Sequence, residues 1–436
     1  MIPDIIAKKR EGLELTYEEI AAVVLGYLDG LVTEAQTAAW LMAVVLRGMS
    51  SREIADLTEC MRLSGDQLDL SSVPGPHIDK HSTGGVGDKT SLVIVPLLAA
   101  AGATVIKMSG RGLSFTGGTA DKLEAIPGFQ TEMDIEQMLE QAERIGACMA
   151  TQSKRLVPAD KALYALRDVT ATVPSIPLIA SSIMSKKLAA GSETIILDVK
   201  TGIGSFMPTL DEARKLAKTL IRIGRGSGRA MGALITDMNQ PLGSTVGIAL
   251  EVAEAIETLT PGGKKDERFY SLCLTLCAHS LRQAKQVQSV EEGEALARNI
   301  IESGAALEKF REIIIAQHGD PKVIENPSLL PKAPIKHTVM AEKEGYIAKL
   351  NARTIGQASL TLGAGRTFLD APVAQEVGLE IHKQIGDKVK PGDPLITIHA
   401  RNNSDVKPVI TAIQSAYEFS PSPTTPPPLI YEVFAD

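Results

Sequence analysis

Two glycine-rich arms constrain this 436-residue chain more than any other feature: KHSTGGVGDKTS from Lys80 to Ser91 and SGRGLSFTGGTADKLE from Ser109 to Glu124. Between them, Leu92 to Ile106 carries no charge. Glycines let main-chain N–H groups come close to an oxyanion, hydroxyls add donors, and lysine supplies charge. Glycines that only shape turns are a fair reading of one arm alone. Two arms of like donor composition in so short a segment read as a phosphate site.

Residues 1 to 65 read as helices. Thr16 with Glu19, Thr33 with Gln36 and Ser50 with Glu53 have capping-box spacing ahead of apolar periodic runs, and Gly30, Gly48 and Gly65 sit where such helices stop. Trp40 and Met42 are expected in the core, and the helices can also present an apolar face to a partner subunit. Asp69 to Pro76 is turn chemistry. Beyond it, strand-like runs at 104–108, 147–151, 194–200 and 232–237 alternate with helical ones, which predicts an α/β sheet domain. Helical stretches at 161–167 and 176–191 interrupt that alternation and are expected to complete the N-terminal helical domain, placing the site between two domains.

The expected domains are 1–68 completed by 161–191, then 69–160 with 192–330, then a C-terminal module over 331–436. In that module GYIAKL, ASLTLGAG and the stretch 385–400 read as β, the last as a strand-turn-strand unit like part of a lipoyl hairpin, giving a barrel-sandwich-like α/β module. The Pro, Ser and Thr tail at 421–428 is expected to add no core.

A net charge of −7, from 45 basic and 52 acidic residues, gives no basic field for nucleic acid. The four cysteines, Cys60, Cys148, Cys273 and Cys277, form no C-x-x-C pair and read as small buried hydrophobes. No signal segment opens the chain, and the run at 92–106 is too short to span a bilayer. A cytoplasmic protein without a membrane or nucleic-acid partner is expected.

The arms fail both common nucleotide fingerprints. Lys89 follows Asp88 instead of the glycine that a Walker A loop requires, and Gly110 and Gly112 lack the third glycine at Rossmann spacing. The run S-G-R-G-L-x-x-T-G-G-T-x-D-K-L-E and the preceding K-H-S-T-G-G-V-G-D resemble the signatures of the thymidine and pyrimidine-nucleoside phosphorylases. YALRDVTATV, SIMSKKLAAG, DVKTGIGSF and DMNQPLG continue the likeness in the family's order. The resemblance implies a helical domain, a mixed-sheet α/β domain across a cleft, a C-terminal α/β domain, and a homodimer formed through the helices.

It also implies phosphorolysis: uridine, deoxyuridine or thymidine plus phosphate gives free base and a pentose 1-phosphate, with phosphate a co-substrate and no cofactor. Lys80, Ser82, Ser91, Ser109 and Thr119 are then phosphate ligands, with Lys107 and Met108 contributing from the strand edge. Arg167, Ser182 and Lys186 bind the base, with Leu113 and Ile179 as apolar walls, and His81 protonates or hydrogen-bonds the 2-carbonyl oxygen. His81, Arg167 and Lys186 are the implied catalytic set. Read without the family, Arg167 would pair with Asp168 or Asp160 on a helix surface, Lys186 and Lys187 would form a solvated face, and an isolated His81 would only orient its loop.

Two positions depart from the pattern. Ser114 and Phe115 stand where most members have Gly-His, beside the nucleoside pocket. Some bacterial members hold a monovalent cation at positions that are here Gly87, Lys89, Leu242, Thr245 and Glu254. A lysine ammonium takes that space and can pair with Glu254, so no metal ligand is assigned. A thymidine-restricted phosphorylase, an anthranilate-type phosphoribosyltransferase and a non-catalytic binding protein are the competing readings. Closure of the two half-sites, with hinges at 69–76, 152–160 and 191–194, is also expected.

Overall fold

The computed structural model describes residues 1–112, 115–151, 153, 155–264, 266–366 and 371–435. The chain opens with α1 (Ile2–Arg10), α2 (Tyr17–Leu28), α3 (Glu34–Arg47) and α4 (Ser51–Arg62). Thr16, Thr33 and Ser50 cap α2, α3 and α4, each side chain accepting from the backbone three residues on while the Glu or Gln there reaches back. Trp40 is buried as expected. Met42 is not core: two residues on from Trp40 it turns outward and is 37% exposed.

The middle of the chain runs β1 (Ile78–Ser82), α5 (Thr90–Ala100), β2 (Val105–Ser109), α6 (Thr119–Leu123), α7 (Ile135–Ile145), β3 (Ala147–Thr151), α8 (Pro158–Val169), α9 (Ile176–Ala189), β4 (Thr194–Thr201), α10 (Leu210–Gly226), β5 (Ala230–Asp237) and β6 (Thr245–Val246). Helices α11 (Ile248–Leu259), α12 (Glu267–Gln283), α13 (Val290–Glu302) and α14 (Ala305–Ala316) follow. Strands β1, β4 and β5 are parallel neighbours, β2 pairs in parallel with β3, and a parallel bridge from His77 to Thr104 joins the two groups. Parallel strands end at the same sheet edge, so the arms after β1 and β2 emerge side by side.

The crossover between them is α5, apolar on every side and buried from Thr90 to Ala99. A helix hydrophobic all round must be covered all round, here by α11, α12 and α14 on one side and by β1 and β2 on the other. Each fully buried Leu, Ile or Val contributes roughly 2 kcal/mol. A charge at Ile94 would therefore unseat both arms together.

Helix α8 packs on α2, α3 and α4, while α9 lies between α4 and α10. One apolar cluster joins the opening helices to α8 and to β2 and β3, and another fills the space among α9, β4, β5 and α10.

The last part contains β7 (Ile335–Met340), β8 (Gly345–Leu350), α15 (Ala352–Leu362), β9 (Gly378–Ile381), β10 (Lys388–Val389), β11 (Pro394–Ala400), α16 (Asn403–Ala416), β12 (Tyr417–Ser420) and β13 (Ile430–Phe434). ASLTLGAG is not a strand. It closes α15, which the Asn351 side chain caps and Gly363 ends in the left-handed conformation. Nor do the strands of 385–400 pair with each other: β10 joins β8, and β11 lies between β7 and β9. The tail at 421–428 has no buried residue, but it carries β13 back to pair antiparallel with β5, making the central sheet mixed. Among the described residues no helix is long and apolar enough to cross a membrane.

Candidate active site

Alternation along β1 sorts the chemistry, since successive side chains of a strand leave opposite faces. Lys80 and Ser82 face α5. The Lys80 ammonium, 1% exposed, donates to Thr90 Oγ1 and lies 3.2 Å from Asp198 Oδ2. The Ser82 hydroxyl donates to Asp88 and accepts from the Gly84 N–H at 3.1 Å. Asp79 and His81 take the other face. There the Asp79 carboxylate meets the Lys187 ammonium of α9 at 2.7 Å and that of Lys107 at 3.5 Å.

Asp88 is the hub of the first arm. Its Oδ1 accepts from the Thr90 hydroxyl at 2.6 Å and its backbone carbonyl from Lys122 Nζ at 2.6 Å. Burial alone would raise its carboxyl, but Lys200, Lys80 and the Ser82 and Thr90 hydroxyls outweigh this and hold it far below the ordinary range. Ser91 is buried in the first turn of α5, where the Thr90 N–H donates to Asp88 Oδ1 at 3.2 Å.

On β2, Lys107, Met108 and Ser109 are all buried. Lys107 Nζ donates to the Lys80 carbonyl at 2.6 Å. Burial is the main reason its ammonium is pushed down to about 7; Lys187 and Lys80 add to the shift and Asp79 opposes it. Ser109 Oγ is buried with no hydrogen-bond partner among the described residues. Thr119 opens α6, half-buried. The second arm folds back on itself: a Cβ on Gly118 would lie 2.1 Å from the Gly112 nitrogen, so only glycine fits. Asp121 pins the arm, accepting from the Gly112 N–H at 2.6 Å and from Arg366 at 2.7 Å.

Across from the arms, Lys186 Nζ pairs with Asp160 of α8 and donates to Ser182 Oγ at 2.9 Å. Ser182 is buried and Ile179 half-buried on the same helix. Burial, more than its neighbours, brings the Lys186 ammonium below its usual value. Arg167 does not form a surface ion pair. It is 3% exposed and donates to the carbonyls of Val173 (2.8 Å), Leu178 (3.1 Å) and Thr172 (3.3 Å), with its guanidinium 5.6 Å above the Tyr164 ring. Lys187, 2% exposed, is likewise no solvated face.

His81 lies between the two groups. Loss of water, then the charges of Lys187, Lys107, Lys80 and Lys186, holds its imidazole well below the ordinary value, so the ring is neutral at pH 7. Phe115 packs 6.2 Å from Phe206, with Arg353 5.3 Å above its ring. Leu113 and Ser114 lie outside the described residues.

Sequence reasoning did not single out Asp79, Asp88, Asp198 or Lys200 as site residues, and named Asp160 only as an alternative partner of Arg167. The signal was present: charged residues stand next to Lys80 and inside the apolar run TIILDVK. A charge in an otherwise buried strand calls for an opposite charge nearby. Lys200 lies 2.8 Å from Asp198, both fully buried, and this pairing together with Asp88 raises its ammonium despite burial.

Comparison with known proteins gives the class first. Two family models cover the first two thirds of the chain: the helical bundle domain of a glycosyl transferase family over residues 3–65, and the a/b domain of the same family over residues 74–307. A third, the pyrimidine nucleoside phosphorylase C-terminal domain, matches residues 346–420. The chain belongs to the pyrimidine-nucleoside phosphorylase family. It is 46% identical over 429 residues to the pyrimidine-nucleoside phosphorylase of Geobacillus stearothermophilus, covering 98% of each chain. Identity to the same enzyme is 48% over 410 residues in Bacillus subtilis, 94% of each chain, and 48% over 433 residues in Staphylococcus aureus strain USA300, 99% of each. Anthranilate phosphoribosyltransferase from Thermus thermophilus shares the fold, with a TM-score of 0.59 at 22% identity over 72% of this chain and 99% of that one.

Proposed function

We propose that this protein catalyses the phosphorolysis of pyrimidine nucleosides: uridine, deoxyuridine or thymidine plus phosphate gives free base and (deoxy)ribose 1-phosphate. The observation that carries this reading is the division along β1, with Lys80 and Ser82 on the arm side and His81 toward α9. A phosphate oxygen forms a bond to C1′ as the bond from C1′ to the base nitrogen breaks. The electron pair leaves with the base, which takes up a proton.

Lys80, Ser82, Ser91, Ser109 and Thr119, with Lys107 and Met108 on β2, surround the phosphate. Ser182, Lys186 and Arg167 hold the base, with Ile179 as an apolar wall. A neutral His81 serves as N–H donor to the 2-carbonyl oxygen, where charge gathers as the bond breaks. The lysines that keep His81 neutral are the groups a phosphate dianion would offset. Phosphate binding is thus expected to make the imidazole more basic just before it is needed.

Two units closing on one cleft account for catalysis here: 1–68 with 161–191 against 69–160 with 192–330, the segment 331–436 bracing the second arm through Arg366. A homodimer through the opening helices is supported by Leu31, 81% exposed, Leu46, 74% exposed, and Met42, all apolar and open to solvent. Four free, buried thiols suit a reducing, cytoplasmic location. The family's names and the phosphorylase-type C-terminal segment favour this function over the phosphoribosyltransferase reading, for which likeness extends to the fold alone.

The test is product analysis. Purified protein with uridine or thymidine is expected to release base only when phosphate or arsenate is present, with pentose 1-phosphate formed in equal amount in the phosphate case. Release of base without either anion, or none with both, would contradict the proposal.

A further inference from the structure

Lys89 lies near the end of the first arm, and its ammonium is fully buried in a cage of oxygens. It donates to the carbonyls of Leu242 at 2.8 Å and Thr245 at 3.0 Å, and lies 2.8 Å from Glu254 Oε2. The carboxylate is itself fixed: Oε1 accepts from the Ser244 N–H at 2.7 Å and its hydroxyl at 3.1 Å, and Oε2 from the Thr245 hydroxyl. Carbonyls and a carboxylate converging on one point replace a cation's hydration shell. The approach depends on two glycines with positive φ. A Cβ at Gly87 would meet the Leu242 oxygen at 2.6 Å, and one at Gly243 would meet Glu254 Oε1 at 2.4 Å and Lys89 Nζ at 2.7 Å.

These are the positions where the family resemblance implies a monovalent ion, and the residues present do not fit one. The lysine nitrogen already takes the oxygens that such an ion would need. We infer that Lys89 is a tethered cation that replaces a diffusible one, so that this protein holds its phosphate arm in place without potassium.

The cage sits where such a tether matters. Asp88 and Thr90, on either side of Lys89, receive the hydrogen bonds of Ser82 and Lys80. Thr245 belongs to β6, which pairs with β9 of the C-terminal part. One ammonium therefore joins the first arm to the middle of α11, through Glu254, and, through Thr245, to the sheet that contains β9. Lys89 is a positioning residue, touching none of the groups assigned to substrate. A free ion would stabilise by mass action and make unfolding depend on its concentration; a covalently attached one does not.

The experiment compares the full-length protein and Lys89→Ser in choline chloride and potassium chloride at equal ionic strength, reading the thermal midpoint, phosphate KM and kcat. The kinetic arm rests on the proposed phosphorolysis; the thermal arm does not. Wild type is expected to keep its midpoint, and its kinetics within about twofold, in both salts. Lys89→Ser in choline is expected to unfold at lower temperature and to show a phosphate KM raised roughly tenfold, with kcat less affected, because an uncompensated buried carboxylate loosens the arm. Potassium should restore part of both, since it can enter the vacated cage.

A wild-type midpoint or rate that rises with potassium would overturn the inference, as would a Lys89→Ser midpoint indifferent to potassium. If Lys89→Ser folds in potassium and not in choline, the inference stands; if it folds in neither, the wild-type salt comparison decides. A protein without phosphorolysis in any salt, whose Lys89→Ser midpoint still follows potassium, would sink the proposed function and leave the tether intact.

Discussion

The Asp79 carboxylate holds the Lys187 ammonium at 2.7 Å, an ion pair that ties the strand carrying Lys80 and His81 to the helix carrying Ser182 and Lys186. Both groups are buried, and Lys107 shares the carboxylate. Lys187 and Lys107 overcome the cost of burial and hold the Asp79 carboxyl below its ordinary value. Asp79→Asn is predicted to leave two ammonium groups in the interior with no full counter-charge, at a cost of about 3 kcal/mol or more. Urea denaturation of the variant checks this, and a loss within the usual surface range of about 0.5 kcal/mol would refute it.

Acid should act on the same two carboxylates that anchor β1 and the first arm. Asp79 and Asp88 both titrate below the ordinary aspartate range in the folded protein. A depressed carboxyl contributes stability that is fully present above the unfolded pKa and is lost as pH falls through the folded one. Their contribution is thus expected to be complete at pH 5 and to fade only below about pH 4. Denaturant midpoints measured from about pH 6 to pH 3 test it; a decline that starts well above pH 5 would assign acid sensitivity to other groups.

Lys107 is predicted to give phosphate recognition a pH dependence of its own. With its ammonium pushed down to about 7, the positive charge is lost as pH rises above neutrality, while the phosphate passes from a mixture of monoanion and dianion to the dianion. Phosphate KM is predicted to climb between pH 7 and 9, by up to about tenfold per unit for a single titrating group. Lys107→Met should bind phosphate weakly at every pH and flatten this slope. An unchanged slope in the variant would rule Lys107 out as the group responsible.

The C-terminal strand β13 lies outside the three family-model matches, yet it covers the edge of β5. Tyr431 donates to Asp237 at 3.1 Å, and Arg268 links the same carboxylate at 3.3 Å to the carbonyl of Pro427. Deleting residues 421–436 is predicted to expose β5 as an unpaired edge and to lower the thermal midpoint by several degrees, about 2 kcal/mol in a chain of this size. Scanning calorimetry decides, and an unchanged midpoint would show β13 to be dispensable.

The opening helices and the tight turns of both glycine arms were legible in the sequence because their signals are local: a capping residue three positions from its partner, and glycines where backbone packs against backbone. Residues 358–362 were misread because LTL suits a strand or a helix, and the deciding Asn351 cap and Gly363 stop lie at the ends of the element. The pairing of β10 and β11 depends on which sheets lie nearby, which no local pattern records. In the candidate site, Lys80 and His81 were singled out from the arm they sit in. Asp79, Asp160 and Lys187 were not, because each gains its meaning from a partner at least 26 residues away along the chain.

The most direct test of the division of labour along β1 is a kinetic comparison of Lys80→Ala and His81→Ala, adjacent residues on opposite faces of the strand, with uridine and phosphate varied independently. Lys80→Ala is predicted to raise phosphate KM far more than it lowers kcat. His81→Ala should lower kcat by about 100-fold with little change in phosphate KM. Equal effects of the two substitutions on both constants would contradict that division.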